Sequence, residues 1–201
     1  MANSEWRMEN YRQANFLTGR RGVGKTTVCQ AVAELARRRG YRPGGVITPA
    51  LYVCPEPRRR ACPADWELTK VGFEALDVGS GQRWPLAHTD RDLGGSRVGP
   101  YSFDPTALAR ALKVLERAIS AVCDLLMVDE IGPLELEQGE GFAPILDLLP
   151  FEGPTHTLIV VRPALLGPLR LRLRDTESAV FSVTEENRDE LPLRIVEKLW
   201  E

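Results

Sequence analysis

Residues 19–27 have the composition and spacing of a phosphate-binding loop. Their sequence, GRRGVGKTT, contains the pattern G-x-x-x-x-G-K-[ST]. Glycines let the backbone turn tightly and bring its N–H groups close to phosphate oxygens, which a side chain would obstruct. Lys25 can reach the β- and γ-phosphates as a point charge, and the Thr26 hydroxyl is placed to ligate Mg²⁺. We therefore expect a nucleoside triphosphate to contact Gly19, Arg20, Arg21, Gly22, Val23, Gly24, Lys25, Thr26 and Thr27.

Two carboxylates supply the second half of such a site. Asp129 and Glu130 directly follow an apolar run at 125–128, which predicts a strand buried on both faces. Asp129 is expected to hold Mg²⁺ through its water shell, together with Thr26. Glu130 is expected to act as general base by orienting and partly deprotonating the water that attacks the γ-phosphate. Residues 129–132 also fit the D-x-x-G pattern of GTP-binding switch proteins, but no N-K-x-D sequence for guanine recognition follows.

An arginine that stabilises the transferred phosphoryl group is a third expected component, because negative charge spreads over that group in the transition state. Arg162 is favoured as this catalytic residue. It follows a predicted strand, and ligands of α/β proteins bind at the carboxyl ends of strands. The other candidates are Arg20, Arg21, Arg170, Arg172, Arg174 and Arg188.

Apolar runs that alternate with helix-period stretches indicate how these residues are positioned. Residues 15–18 predict the end of a strand before the loop, and residues 28–39 predict a helix after it. Asp104 and Pro105 have the types expected at a helix start, as cap and first helical residue. This alternation predicts a sheet covered by helices on both faces. Further strands are predicted at 46–53, 71–78, 83–88, 125–128, 157–161 and 179–183, with a hairpin around 79–82 and a closing helix at 191–200.

Length and composition predict one globular domain over residues 1–201, with a polar N-terminal extension at 1–13. The formal net charge of −2 gives no electrostatic indication of nucleic acid or a membrane surface as partner. No C-x-x-C pair is present, and Cys29 and Cys123 lie in apolar helical patterns that favour burial. Cys54 and Cys62 flank a Pro/Arg-rich segment and form either a labile pair or two idle thiols. No apolar stretch has the length of a membrane span, so a cytoplasmic location is the default expectation.

Together these motifs resemble the small nucleoside-triphosphatase family first described from thermophiles, whose human member is the cancer-related nucleoside-triphosphatase. The resemblance covers nearly the whole chain from residue 16 to residue 200. The D-E-I-G-x-x-E-L stretch and the later E-N-R are far more specific than the phosphate-binding loop alone. The matching residues are 16–19, 22–27, 71–73, 98–101, 128–132, 134–136, 181–184 and 186–188.

The resemblance implies a three-layer α/β domain of the P-loop NTPase class, with a RecA-like, mostly parallel (mixed) central sheet flanked by helices. It also implies slow Mg²⁺-dependent hydrolysis of several nucleoside triphosphates, ATP and GTP among them. By match, residues 19–26 and 127–134 are the nucleotide-binding stretches. The chain departs from the family pattern at residues 49–51 and at Arg162-Pro163, where base selectivity, turnover and lid contacts become open questions. The expected contacts of the second stretch are Met127, Val128, Asp129, Glu130, Ile131 and Gly132.

Two other functions remain open at this point. A nucleotide or small-molecule kinase would suit the size of the chain, but a water-activating Glu130 beside the metal would waste triphosphate. A slow nucleotide-dependent switch or assembly factor would draw its missing arginine from a protein partner. The sequence identifies neither that partner, nor the preferred base, nor the role of the segment 54–64.

Overall fold

A mixed sheet runs through the part of the chain that the structure describes. The structure is a computed structural model, and it describes residues 14–54, 68–121, 123–149, 156–173 and 178–200. The strands are β1 (Ala14–Thr18), β2 (Pro43–Ile47), β3 (Ala50–Val53), β4 (Thr69–Asp77), β5 (Arg83–His88), β6 (Arg97–Val98), β7 (Tyr101–Phe103), β8 (Leu125–Ile131), β9 (His156–Val161) and β10 (Val180–Ser182). The helices are α1 (Lys25–Arg38), α2 (Pro105–Ser120), α3 (Pro133–Leu136), α4 (Ala143–Leu148), α5 (Pro163–Leu173) and α6 (Leu191–Trp200).

The sheet has a parallel part and an antiparallel extension. Its order within the described residues is β10-β1-β9-β8-β2-β4-β5-β7-β6, with β3 paired to the side of β4. Strands β10, β1, β9, β8 and β2 are parallel neighbours. The remaining pairings, from β2/β4 outward to β6/β7, are antiparallel. The predicted fold class, a mixed sheet with helices on both faces, is confirmed.

Hydrophobic packing on both faces explains why the parallel strands read as continuous apolar runs. Every residue of β1 is buried, as are the first five residues of β8. Helices α1 and α6 cover one face, and the apolar side of α1 contributes Val28, Val32 and Ala36 to that core. Helices α2, α4 and α5 cover the other face. Two buried layers therefore hold β1, which leads into the loop, and β8, which carries Asp129 and Glu130 near its end.

The strand predicted at 46–53 is wrong as a single element. The chain forms β2 and β3 instead, which pair in opposite senses with β8 and β4. The break falls at Thr48 and Pro49, where proline has no N–H for a strand ladder. Gly44 and Gly45, which precede the predicted strand, lie inside β2. A Cβ on Gly45 would come within 2.2 Å of the Met127 carbonyl oxygen, so the close approach of β2 to β8 requires glycine.

The remaining element predictions agree with the structure. The hairpin around 79–82 joins β4 to β5, and Asp104 caps α2 by accepting the backbone N–H groups of Thr106 and Ala107. Cys29 and Cys123 are buried free thiols. Cys54 is disulfide-bonded, whereas the rest of the segment 54–64 and the expected extension at 1–13 lie outside the described residues. Within the described ranges, no helix combines the length and apolarity needed to cross a membrane.

Candidate active site

The phosphate-binding loop connects β1 to α1, in the strand–loop–helix order that the motif requires. Gly24 adopts a left-handed conformation (φ +109°) as the N-cap of α1, and Gly19 has a φ of +150°. A Cβ on Gly19 would lie 2.8 Å from the carbonyl oxygen of Val183. Side chains at these positions would strain the loop. The loop thus presents its backbone N–H groups and the N-terminus of α1, both of which favour an anion.

Lys25 is held against the loop that precedes it. Its Nζ donates to the carbonyl oxygens of Gly19 at 3.0 Å and Arg20 at 3.2 Å, and only 7% of the residue is exposed. An ammonium group buried in this way needs acceptors. The carbonyls supply them here, and phosphate oxygens are stronger acceptors that could replace them.

Asp129 is a buried carboxylate at the end of the parallel part of the sheet. It accepts the Thr48 backbone N–H at 3.2 Å and a hydrogen bond from the Thr26 side chain. Burial, and then the charge of Glu130, raise the pKa of Asp129 to about 7 against the effect of these donors and of Lys25. The break between β2 and β3 matters here, because it leaves the Thr48 N–H free to point at Asp129 rather than at a neighbouring strand.

Glu130 and Arg162 form an ion pair beside Asp129. The Arg162 Nε donates to Glu130 Oε1 at 2.6 Å, with 41% of the Arg162 side chain and 26% of the Glu130 side chain exposed. The pair forms because β8 and β9 are parallel neighbours whose carboxyl ends share one edge of the sheet. The structure therefore brings the two residues together, as expected for a shared site. It also places the expected base in contact with the expected arginine.

The other candidate arginines are divided between the loop and more distant positions. Arg20 pairs with Glu185, and Arg21 donates from Nη2 to the Tyr101 hydroxyl at 2.8 Å. Arg188 lies against the loop, with its Cδ 3.6 Å from where a Gly24 Cβ would stand. Arg172 of α5 pairs with Asp147 of α4, and Arg170 also lies on α5. Arg174 lies outside the described residues.

Glu135 has a role that the sequence reasoning did not assign. Its two carboxylate oxygens accept the backbone N–H groups of Gly132 at 2.8 Å and Phe142 at 3.2 Å. Only 3% of the residue is exposed, and burial raises its pKa to about 7. Glu135 thus ties down the segment that leaves β8 after Glu130. The sequence signal that could have revealed this role is the position of Glu135 as the third residue of a short helix. A glutamate there can accept a hydrogen bond from the backbone N–H of the residue before the helix.

Lys70 and Tyr101 also escaped the sequence reasoning. Lys70 Nζ lies 4.0 Å from the Phe73 ring centroid and 5.8 Å from that of Tyr101. Burial lowers the pKa of Lys70, and the positive charge of Arg21 lowers it further. Both residues belong to the antiparallel extension. Tyr101 lies in the segment 98–101 that matches the family, but that match assigned it no role, and Lys70 lies outside the matching segments.

An apolar cavity of about 80 Å³ adjoins the ion pair. Glu130 and Arg162 line its polar end, next to Thr48. Its apolar wall comes mainly from the antiparallel extension, α2 and the segment after α3, with Phe73, Leu86, Phe103, Leu108 and Phe142. The cavity is open to a small organic group that would lie beside the Glu130 carboxylate.

Comparisons with known proteins agree on one family. A family model described as NTPase matches residues 14–196. The Nucleoside-triphosphatase THEP1 of Methanopyrus kandleri is 36% identical over 92% of this chain and 94% of its own length. The protein of the same name from Hyperthermus butylicus is 36% identical over 90% of this chain and 88% of its own length.

Two solved structures have a similar fold, each with a TM-score of 0.67. The crystal structure of THEP1 from Aquifex aeolicus is 22% identical and covers 94% of this chain and 99% of its own. The solution structure of a human cancer-related nucleoside triphosphatase is 28% identical and covers 94% of this chain and 97% of its own. The similarity therefore extends over the parallel part of the sheet and its extension alike.

Proposed function

The chain belongs to the nucleoside-triphosphatase family, and we propose that it uses Mg²⁺ and Glu130 to hydrolyse ATP, GTP and other nucleoside triphosphates to the diphosphate and phosphate. The position of Glu130 carries the proposal. Its partly exposed carboxylate directly follows Asp129, which is buried and hydrogen-bonded to Thr26 of the loop. A water bound by Glu130 therefore lies at the same sheet edge as the phosphate-binding loop.

Thr26 and Asp129 would hold the Mg²⁺. A hydroxyl and a carboxylate are hard oxygen ligands of the kind that Mg²⁺ prefers. A cation would also stabilise the charged form of Asp129, whose pKa burial raises to about 7. Within the described residues, no three metal-ligating His, Cys, Asp or Glu side chains cluster. This fits an ion that takes few protein ligands and completes its shell with water and phosphate. When bound, Mg²⁺ neutralises charge on the β- and γ-phosphates.

Lys25 and Arg162 would both exchange partners when the nucleotide binds. Lys25 would leave the carbonyl oxygens of Gly19 and Arg20 for phosphate oxygens, which carry more negative charge. Arg162 would turn from Glu130 to the γ-phosphate, where its guanidinium would stabilise the charge that develops during transfer. Glu130 would then be free to accept a proton from the attacking water. The ion pair thus keeps the base occupied until the substrate arrives.

Phosphate release from ATP, GTP, CTP and UTP in the presence of Mg²⁺ tests the proposal, with two variants in parallel. Glu130→Gln should bind nucleotide as the parent does and lose hydrolysis by roughly 10²–10⁴-fold, the usual contribution of a general base. Lys25→Ala should lose most nucleotide affinity. Glu130→Gln with the parent rate would show that Glu130 is not the base. Release from a single triphosphate would contradict the proposed breadth.

A phosphotransferase is the second candidate, and the cavity beside Glu130 favours it. A small apolar alcohol in that cavity would place its hydroxyl near Glu130, which could take its proton while the γ-phosphoryl group is transferred to the oxygen. Benzyl alcohol is a suitable probe because its ring matches the apolar wall. With labelled ATP, this candidate requires benzyl phosphate to form, at a rate that Phe103→Trp in the cavity wall reduces. Release of inorganic phosphate alone, unchanged by the alcohol, would exclude transfer to this probe.

A further inference from the structure

We propose that Lys70 and Tyr101 are further binding residues of the nucleotide site, which contact the terminal phosphate together with Arg21. Lys70 lies in β4 and Tyr101 in β7, so both come from the antiparallel extension of the sheet. The inference rests on the proposed function, because it assigns new residues to the same site. By this proposal, residues of the antiparallel extension bind the triphosphate directly.

An unbroken series of contacts joins these residues to the phosphate-binding loop. The Arg21 Nη2 donates to the Tyr101 hydroxyl at 2.8 Å, and its guanidinium carbon lies 5.7 Å from the Tyr101 ring centroid. The Tyr101 and Phe73 rings pack with their centroids 4.7 Å apart. Lys70 lies over the Phe73 ring at 4.0 Å. The Lys70 ammonium and the Arg21 guanidinium therefore both lie near the Tyr101 ring, at 5.8 Å and 5.7 Å from its centroid.

Positive charge exceeds negative charge among the ionisable residues of the loop, the Glu130–Arg162 ion pair and Lys70. The four cations are Lys25, Arg21, Lys70 and Arg162, and the three carboxyl groups are Asp129, Glu130 and the buried Glu135. Of these carboxylates, Glu130 is already paired with Arg162. Among the described residues, neither Lys70 nor Arg21 forms an ion pair of its own. Burial and the charges of Arg21 and Arg162 lower the pKa of Lys70. The negative charges of Glu130 and Asp129 oppose this shift.

The terminal phosphate is the ligand that this excess charge fits best. A nucleoside triphosphate carries more negative charge than one Mg²⁺ neutralises, and the part that distinguishes it from a diphosphate is the γ-phosphate. Phe73, whose ring lies 4.0 Å from the Lys70 ammonium, lines the same cavity as Glu130 and Arg162, which are proposed to act on that group. The Tyr101 oxygen accepts from Arg21, which leaves the Tyr101 O–H to donate to a phosphate oxygen. Lys70 and Tyr101 should therefore favour triphosphate over diphosphate.

The test compares the affinities for the β,γ-imido analogue of ATP and for ADP, both with Mg²⁺, by calorimetry. Lys70→Met keeps the apolar stem over Phe73 and removes the charge, so it should weaken binding of the analogue by about tenfold or more, as for loss of a charge-assisted hydrogen bond. Its affinity for ADP should not change. Tyr101→Phe keeps the ring and removes the hydroxyl, so it should weaken binding of the analogue by a few-fold and leave ADP binding as it is.

Arg110→Met is the matched control. Arg110 lies over the Trp84 ring at 4.0 Å, the same distance as Lys70 over Phe73, and it is not part of the nucleotide site. This variant should bind both nucleotides as the parent does. Equal affinity ratios of analogue to ADP in Lys70→Met and the parent would overturn the inference. So would an equal loss for the two nucleotides. If Lys70→Met does not fold, the ratio of analogue affinity to ADP affinity in Tyr101→Phe is used instead, and a ratio equal to that of the parent would overturn the inference.

These binding measurements are separate from the proposed hydrolysis. A parent protein that binds the analogue but releases no phosphate would refute the proposed function. The affinity ratio of Lys70→Met would still decide whether Lys70 contacts the terminal phosphate. Conversely, normal hydrolysis in Lys70→Met with an unchanged ratio would refute only the role of Lys70.

Discussion

Replacing Glu135 with glutamine should change how the stability of the protein depends on pH. The Glu135 carboxylate is 3% exposed and accepts two backbone N–H groups, from Gly132 and Phe142. These bonds favour its charged form, whereas burial disfavours it. Burial is the larger effect, so the pKa rises from 4.5 to about 7. Glutamine has nearly the same shape but cannot ionise.

The shift sets the size and the sign of the effect. A rise from 4.5 to about 7 corresponds to about 3 kcal/mol, at ~1.36 kcal/mol for each unit. Between these two pH values the unfolded chain has lost the proton from Glu135 and the folded chain has kept it. Stability due to this group is therefore fully present below pH 4.5 and is lost as the pH rises through about 7. The Glu135→Gln variant should not show this loss.

Urea unfolding of the parent and of Glu135→Gln, followed by tryptophan fluorescence at about pH 4.5 and about pH 8, measures the difference. The free energy of unfolding of the variant should rise relative to the parent by about 3 kcal/mol across that interval. Glu116→Gln, on the exposed side of α2, is the control and should track the parent. A variant that instead loses stability relative to the parent as the pH rises would show that the two N–H bonds outweigh burial.

Three further predictions concern backbone, cap and catalytic geometry. Gly45→Ala should lose about 4 kcal/mol or more in urea unfolding, because its Cβ would stand 2.2 Å from the Met127 oxygen at a φ of +99°. Gly81→Ala, with a φ of +75° but open space around it, should lose only about 1–2 kcal/mol, and equal losses would contradict the steric argument. Asp104→Ala should lower the stability of α2 by about 1 kcal/mol in thermal unfolding, and no change in Tm would show that the cap is dispensable. Arg162→Lys should lower kcat by about tenfold or more while ADP affinity is kept, since lysine lacks the planar fork; an unchanged kcat would exclude Arg162 from the reaction.

The parts of the site that the sequence predicts are those specified by local order. The phosphate-binding loop needs a strand, a glycine-rich turn and a helix in immediate succession, and residues 14–38 provide all three. Asp129 and Glu130 are recognisable because an apolar strand precedes them directly. Arg162 was favoured from its position after a predicted strand, and it lies beside Glu130 because parallel strands bring their carboxyl ends to one edge.

The antiparallel extension is less predictable, because its strands depend on partners that are distant in sequence. The division between β2 and β3 follows from pairing with β8 on one side and β4 on the other. The short strands β6 and β7 hold together through a two-residue ladder and the link from β7 to β5. Propensity over two or three residues is too weak to indicate such elements. Glu135 was missed for a related reason, since one of its two partners lies seven residues away in a loop.

The difference between local sequence order and pairing with distant strands also explains why the four cations could not be assigned to one site from the sequence. Lys25 and Arg21 belong to the loop, and Arg162 follows a parallel strand. Lys70 belongs to β4, which pairs with β2, and it lies near the same Tyr101 ring as Arg21. Tyr101 lies 80 residues from Arg21 along the chain, yet its hydroxyl accepts a hydrogen bond from it. A charge excess assembled from separate parts of the sheet has no sequence motif. It is nevertheless what a highly charged phosphate needs, because the parallel part would supply the loop and the proposed base while the extension would supply the additional cation.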